Sequence, residues 1–572
     1  MGYQTEYDRW MESPILCPEE RAELAAIAGQ EEEIEDRFYR SLSFGTAGLR
    51  GVMGMGTNRM NHYVVRQASE AFARVILQED PQGKERGVCI CFDCRIGSRD
   101  FAAVAAHAMR RHGIKVYLFE DCRPTPQLSF AVRHFDAAAG INVTASHNPK
   151  EYNGFKVYWS GGAQLPPAQA DRVAAEMAQI PVLAQDGEVL GETGELVLLD
   201  AAFDRLYMDA VLKNAVDTQA IPAVSEDFRV VFTPFHGVGG AIVPRVLREA
   251  GLRHLYPVVE QMAPDGNFPT VKSPNPEDPA GFALAAELAQ QVCADFIVGT
   301  DPDADRVGIQ VKDASGRFVP VSGNRTGALL LQYLLTAGEK NGRLPQNPAL
   351  IKTLVTSDLS RKIAEAHGVA CYDTFTGFKY MAEKVRELEE THTGNYVLAY
   401  EESYGYMIGD HARDKDGVVG ALLLTEMAAW YHSRGMTVLE GLQEIWETYG
   451  FYAEETRNVM FPGADGMARM QRIMEGLRMA PPAKIGGKAV LALRDYRSGL
   501  RTAGGCETPT HISGSDVLYF ELEGGSNLVV RPSGTEPKIK VYALVQGADL
   551  AGAETLAADC AQSAEDILMQ IE

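Results

Sequence analysis

The 572-residue chain carries 54 Lys+Arg against 77 Asp+Glu, a formal net charge of −23, with 46% hydrophobic and 23% charged residues. That apolar content supports packed cores and excludes a disordered chain, and at about 150 residues per domain the length suits about four domains. The acidic surplus excludes non-specific nucleic-acid binding and attraction to an anionic membrane surface.

The first 40 residues are acidic and helical in pattern, with apolar spacing through Leu24, Ile27, Ile34 and Phe38. They show no basic stretch followed by an apolar one, so no secretory signal is expected. No charge-free apolar run reaches the roughly 18 residues of a membrane span. The nearest, Val418 to Trp430, is shorter and contains Glu426. From residue 87 onward strands and helices alternate. Residues 87–93, 99–112 and 114–120 read as strand, helix and strand. Residues 229–233, 239–250 and 255–259 repeat the pattern, and 349–355 with 359–367 begin it a third time. Recurrent strand–helix–strand units predict parallel or mixed sheets covered by helices. The end differs: short strands at 489–493, 517–521, 528–530 and 539–545, then a helix over 550–571. The expected class is α/β, with three similar mixed α/β domains followed by a smaller α+β C-terminal domain. Turn-rich stretches at 187–194, 322–324 and 462–466 serve as boundary signals, and the domains are placed at 1–205, 206–322, 323–455 and 456–572. The nine cysteines, odd in number and thinly spread, suit a reduced cytoplasm. Cys91 and Cys94 form a CxxC, but without a second pair they read as the end of an apolar strand and not as a zinc site.

Four loops carry chemistry. Thr144-Ala145-Ser146-His147-Asn148-Pro149 follows an apolar segment, and Pro149 delays any helix. A serine held at a strand end is exposed and oriented, as a nucleophile must be, and His147 and Lys156 lie near it in sequence. Asp301-Pro302-Asp303-Ala304-Asp305-Arg306 follows another apolar strand. Its three carboxylates at alternate positions suit one hard cation such as Mg²⁺. An EF-hand is excluded by Arg306 at the sixth loop position and Lys312 at the twelfth. Glu401-Glu402-Ser403-Tyr404-Gly405, with Thr376-Gly377-Phe378-Lys379 upstream, offers groups for sugar hydroxyls and phosphate. Arg531-Pro532-Ser533-Gly534-Thr535-Glu536-Pro537-Lys538 joins two apolar strands and has the makings of a phosphate cradle. No P-loop occurs, and Gly54-Met55-Gly56 lacks the third glycine of a dinucleotide site.

Together with Phe44-Gly45-Thr46-Ala47-Gly48-Leu49-Arg50-Gly51, these loops resemble the α-D-phosphohexomutase superfamily, the phosphoglucomutase/phosphomannomutase enzymes, over nearly the whole chain. Its length and the forms DPDADR and EESYGY are similar to the long phosphoglucomutase branch. The resemblance implies four domains around a central cleft and an intramolecular phosphotransferase. The reaction it implies is reversible interconversion of α-D-glucose 1-phosphate and glucose 6-phosphate through a phosphoserine and glucose 1,6-bisphosphate, the latter also an activator. Alternatives are a phosphopentomutase, a phosphomannomutase or a Mg²⁺-dependent sugar phosphatase. By position, Ser146 matches the phosphorylated serine, and Asp301, Asp303 and Asp305 match the Mg²⁺ ligands, completed by a phosphoserine oxygen. Arg50, Lys156 and Arg306 match the basic residues around the moving phosphoryl group, with Lys156 first and His147 second for proton transfer. Thr376, Gly377 and Lys379 match the specificity loop, and Glu401 and Ser403 the grip on sugar hydroxyls. Arg531, Ser533, Gly534, Thr535 and Lys538 match the site of the non-reacting phosphate. Pro302 and Ala304 replace glycines of the family loop. Tyr400 and Ser403-Tyr404-Gly405-Tyr406 depart from the bifunctional pattern, which counts against mannose phosphates. A sugar phosphate is thus the expected partner, for a cytoplasmic monomer or weak dimer. Arg50, Lys156, Arg306, Lys379, Arg531 and Lys538 are expected to make a positive cleft in an acidic body.

Overall fold

The computed structural model describes residues 2–45, 48–184, 194–462, 465–533 and 537–571. The chain packs as two units, Met1–Val321 with Tyr404–Thr437, and Ser322–Ser403 with Val438–Glu572.

The first unit opens with helices Tyr3–Glu12, Pro18–Ala26 and Glu31–Phe38, in the stretch expected to be helical. Trp10 lies edge-on to Phe38 and to Tyr63, at 5.7 Å between ring centroids in each case, and so ties the extension to the helix His62–Glu79. Six strands follow: β1 (Leu49–Val52), β2 (Val88–Phe92), β3 (Val116–Phe119), β4 (Ala139–Val143), β5 (Tyr152–Trp159) and β6 (Leu196–Leu199). They form one sheet in the order β1-β5-β4-β2-β3-β6. β2 and β4 are buried at every position, as parallel strands covered on both faces must be. β5 runs antiparallel to β4, with Lys156 opposite Asn142, and β1 antiparallel to β5, with Arg50 opposite Gly154.

A second sheet, β11-β10-β9-β7-β8, is built from β7 (Arg229–Thr233), β8 (His254–Pro257), β9 (Phe296–Thr300), β10 (Val307–Lys312) and β11 (Phe318–Val321). β9 and β10 are antiparallel neighbours paired from Thr300↔Val307 onward, so residues 301–306 are their hairpin connection. Helix Gly417–His432 packs on β9 and on helix Gly239–Glu249. Asp416 caps it, accepting from the N–H groups of Val418 and Val419. The Gly417 N–H donates to Ala304 O, and a Cβ there would lie 2.7 Å from that oxygen and 2.8 Å from Arg306 O. A glycine thus lets this helix seat directly against the hairpin.

In the second unit β12 (Pro348–Thr353) lies between β13 (Ala370–Thr374) and β14 (Asn395–Glu401), all parallel. Residues 322–324, expected as a turn, start a helix: Ser322 caps Gly323–Lys340, its hydroxyl accepting from Arg325 N–H. The C-terminal part is an antiparallel sheet whose adjacent strands include Phe451–Met460, Lys538–Gly547, Ser526–Pro532 and Leu518–Leu522. Helices Gly466–Met479 and Leu550–Gln570 cover it. Three separate helix-covered sheets and a further C-terminal antiparallel sheet with its helices fit the α/β class expected from the sequence.

Gly154 makes a tight backbone crossing beside the Ser146 loop: a Cβ would meet Thr144 O at 2.5 Å and Leu49 O at 2.9 Å. Gly154→Ala should therefore cost about 3 kcal/mol of stability, the size of an overpacked core site. A denaturant midpoint equal to wild type would contradict this crossing.

Candidate functional site

β4 and β9 each end in a loop, and in the first unit these two loops meet. Ser146 sits in the left-handed region at φ 52°, uncommon for a residue with a side chain, and is 3% exposed. Its Oγ donates to Asp301 Oδ2 at 2.8 Å and lies 3.1 Å from His147 Nδ1. In the other loop Ala304 also has positive φ, at 51°, which turns the hairpin back on itself. Asp301, Asp303 and Asp305 each present an oxygen within 4.8 Å of the others, and all three are fully buried.

Three buried carboxylates repel one another and cannot share so small a volume uncompensated. Lys156 Nζ donates to Asp303 Oδ2 at 2.8 Å and to Asp305 Oδ2 at 3.2 Å. Lys415 Nζ lies 2.7 Å from Asp305 Oδ2. Thr125 Oγ1 donates to Asp303 Oδ2 at 2.7 Å, and the N–H groups of Asp305 and Arg306 donate to Asp301 Oδ1. Burial, with Asp303 and Asp305 beside it, pushes the Asp301 carboxyl well above the usual range. Burial acts upward on Asp303 too, but Lys156 and Lys415 hold it below that range. The same carboxylates raise Lys156 against the effect of burial. His147 is pushed well below the usual imidazole value by burial and by Arg306 and Arg50, so it is neutral at pH 7.

Compensation is incomplete. Asp303 Oδ1 and Asp305 Oδ1 are buried without a hydrogen-bond partner. Unpaired buried carboxylate oxygens in an all-oxygen donor set fit a hard divalent cation. Ser146 and His147 share one pocket with Arg50, Lys156, Arg306 and Lys415. Three of the six cations expected at the cleft are therefore together here.

The other three belong to the second unit, where the two remaining loops meet. Arg531 Nη1 donates to Thr376 Oγ1 at 2.5 Å. The Gly377 N–H donates to Glu401 Oε1 at 2.5 Å, from a φ of 114° that suits only glycine. Ser403 Oγ lies 3.5 Å from Glu401 Oε2. Lys379 Nζ stands 4.6 Å from the centre of the Tyr380 ring, and burial lowers its pKa. The Ser533 N–H donates to Lys538 O and closes the hairpin. Gly534 and Thr535 lie outside the described residues.

Sequence reasoning missed Lys415 and Thr125. The signal for Lys415 was available in Arg413-Asp414-Lys415-Asp416-Gly417, alternating charges ahead of an apolar helix. Thr125 carries no local signal, because its role is set by packing across two sheets. Cys91 and Cys94 are free thiols, each donating to a backbone carbonyl, of Arg123 and His236 respectively.

Family models described as phosphoglucomutase/phosphomannomutase, alpha/beta/alpha domains I, II and III, match residues 41–182, 205–316 and 322–449. A phosphoglucomutase of Staphylococcus haemolyticus is 35% identical over 514 residues, 89% of this chain and 91% of that protein. One of Staphylococcus aureus strain N315 is 35% identical over 529 residues, 90% and 91% of the two chains. The chain belongs to the phosphoglucomutase/phosphomannomutase family. It is accordingly a mutase, an enzyme moving a phosphoryl group within a sugar phosphate. Solved structures share the fold. A family protein from Burkholderia thailandensis has a TM-score of 0.65 at 20% identity, covering 93% of this chain and 98% of that one. The open form of pp63/parafusin, a phosphoglucomutase from Paramecium, has 0.64 at 19%, covering 93% and 96%. Among the described residues no helix is long and apolar enough to cross a membrane.

A cation bound only by the folded triad stabilises the fold by mass action, about 2.7 kcal/mol at a hundredfold excess over Kd. Mg²⁺ should raise the melting temperature of the wild type in a saturable way, and Asp303→Asn should lose most of that increment. A wild-type melting curve indifferent to Mg²⁺, Mn²⁺ and Ca²⁺ would count against the cation site.

Proposed function

We propose that this mutase interconverts α-D-glucose 1-phosphate and glucose 6-phosphate, with Ser146 as the phosphoryl carrier. The observation that supports the reading most is the Ser146 hydroxyl bonded to Asp301, at the edge of a carboxylate triad with unpaired oxygens and within a pocket of four cations. The relatives named phosphoglucomutase at 35% identity favour glucose phosphates over the alternatives.

Phosphate monoesters hydrolyse extremely slowly, so the site must supply charge neutralisation and positioning. Asp301, Asp303 and Asp305 would hold Mg²⁺, which when bound supplies Lewis-acid neutralisation of the phosphoryl oxygens. Arg50 and Arg306 add fixed positive charge on the pocket wall. In the first half-reaction the Oγ–P bond of phosphorylated Ser146 breaks as the free hydroxyl oxygen of the hexose monophosphate bonds to phosphorus. The hydroxyl proton leaves to a base, the freed Ser146 Oγ takes a proton, and glucose 1,6-bisphosphate results. In the second half-reaction the other phosphoryl group passes to Ser146 Oγ, whose proton leaves to a base, and the sugar oxygen released takes a proton. Lys156 and His147 carry these protons. Lys156 is held as an ammonium by Asp303 and Asp305 and can give one, whereas His147 is held neutral and can receive one. Free glucose 1,6-bisphosphate would prime unphosphorylated enzyme.

In the second unit we assign Thr376, Gly377, Lys379, Glu401 and Ser403 to the sugar hydroxyls. Arg531, Ser533, Gly534, Thr535 and Lys538 take the non-reacting phosphate. The direct bonds Arg531–Thr376 and Gly377–Glu401 support treating these loops as one binding surface.

Ser146→Ala should abolish the conversion of glucose 1-phosphate, and intact mass of the wild type should show a fraction heavier by one phosphoryl group. Undiminished turnover by the variant would sink the carrier role. kcat/KM on glucose, mannose and ribose phosphates, with and without glucose 1,6-bisphosphate, tests the substrate. A preference for mannose or ribose phosphate would replace glucose. Release of inorganic phosphate without isomerisation would make the enzyme a phosphatase.

A further inference from the structure

The turn that leaves β2, Asp93-Cys94-Arg95, lies outside the four motif loops. The side chains of Asp93 and Arg95 have no exposed surface, and they form an ion pair at 3.4 Å. What they touch is the backbone of the Ser146 loop. Arg95 Nη2 donates to Ser146 O at 2.6 Å and to Asn148 O, and Nη1 donates to Pro149 O at 2.9 Å and Tyr152 O at 3.0 Å. One guanidinium thus collects four carbonyls along the chain that runs from the serine to β5. Asp93 acts on the other side of the same residue. Its Oδ2 accepts from Thr144 Oγ1 at 2.6 Å, and that hydroxyl in turn accepts the Ser146 N–H at 2.8 Å. Asp93 Oδ1 accepts from Arg95 N–H and Ser98 Oγ, so the carboxylate is fixed in rotation.

Both backbone polar groups of Ser146 are therefore satisfied by side-chain bonds that trace to this turn, through Thr144 on one side and Arg95 on the other. Ser146 needs such support, because a left-handed φ on a non-glycine residue is strained and persists only where the surroundings over-determine it. Arg95 itself is braced from the neighbouring sheet's loops: the Phe268 ring lies 5.1 Å beneath the guanidinium, and Gly266 approaches so closely that a Cβ would be 2.6 Å from Ile96 N.

We propose that Asp93 and Arg95, acting through Thr144, are positioning residues that hold Ser146 Oγ at the distance and angle phosphoryl transfer needs. The inference rests on the reading of Ser146 as phosphoryl carrier. Lysine cannot replace Arg95, since a single ammonium on a flexible stem lacks the planar fork that spans four acceptors. A misplacement of about 1 Å at a reacting atom costs about a hundredfold in rate.

The test is steady-state kinetics of Arg95→Lys, Thr144→Val and Thr144→Ser beside Ser146→Ala, in saturating Mg²⁺ and glucose 1,6-bisphosphate. kcat should fall about a hundredfold in Arg95→Lys and at least about tenfold in Thr144→Val, with KM changed by less than about threefold. Thr144→Ser, which keeps the hydroxyl, should return kcat to within about threefold of wild type. Should Arg95→Lys fail to fold, the Thr144 pair decides. The proposal is overturned if Thr144→Val keeps wild-type kcat, if Thr144→Ser is no better than Thr144→Val, or if the loss lies in KM alone. An active Ser146→Ala would remove the carrier reading itself. An inactive Ser146→Ala beside an unimpaired Thr144→Val would remove only the positioning role.

Discussion

Three carboxylates buried on one hairpin, Asp301, Asp303 and Asp305, are the constraint around which the first unit is arranged. Burying one carboxylate without a partner is costly, and burying three with oxygens within 4.8 Å of one another is untenable unless charge of the opposite sign comes to them. Charge and hydrogen-bond donors come from several separate elements. β5 brings Lys156, the turn ahead of helix Gly417–His432 brings Lys415, and the start of helix Thr125–His134 brings the Thr125 hydroxyl. The β4–β5 register places Lys156 opposite Asn142, and Asn142 donates to the same Thr125 hydroxyl. A shift of that register by one residue would turn Lys156 to the other face and take its ammonium away from Asp303.

The same loops explain how a chain with a net charge of −23 can handle dianionic sugar phosphates. Net charge acts over distances that salt screens, whereas a small ligand responds to the potential inside its pocket. There, Arg50, Lys156, Arg306 and Lys415 surround Ser146. The triad's unpaired oxygens leave room for one more positive charge, and a divalent cation supplies it without needing a further side chain.

Much of this was legible in the sequence, and the part that was not has a common cause. Buried strands such as Val88–Phe92 and Phe296–Thr300 show as continuous apolar runs, and each chemical loop directly follows such a run or joins two of them. Ser146, the three aspartates, and the links Arg531–Thr376 and Gly377–Glu401 fall on residues that local pattern marks. Asp93, Arg95 and Thr125 do not, because each acts through a tertiary contact with a segment far away in sequence. Ser322 read as a turn because the residues that favour turns also cap helices. The packing of residues 404–437 with the first unit could not be read from order along the chain. Helix Gly417–His432 is buried nearly all round, so its sequence carries no polar stripe to show which neighbours cover it.

The central claim is that Ser146 carries the phosphoryl group between the two ends of one sugar. A single-turnover chase tests it most directly. Enzyme is labelled with glucose 1,6-bisphosphate bearing labelled phosphate, the modified residue is mapped, and unlabelled glucose 1-phosphate is then added. The account predicts label on Ser146 that passes, in one turnover, to the sugar bisphosphate. Label on another residue, or label released from Ser146 as inorganic phosphate while isomerisation proceeds, would contradict it.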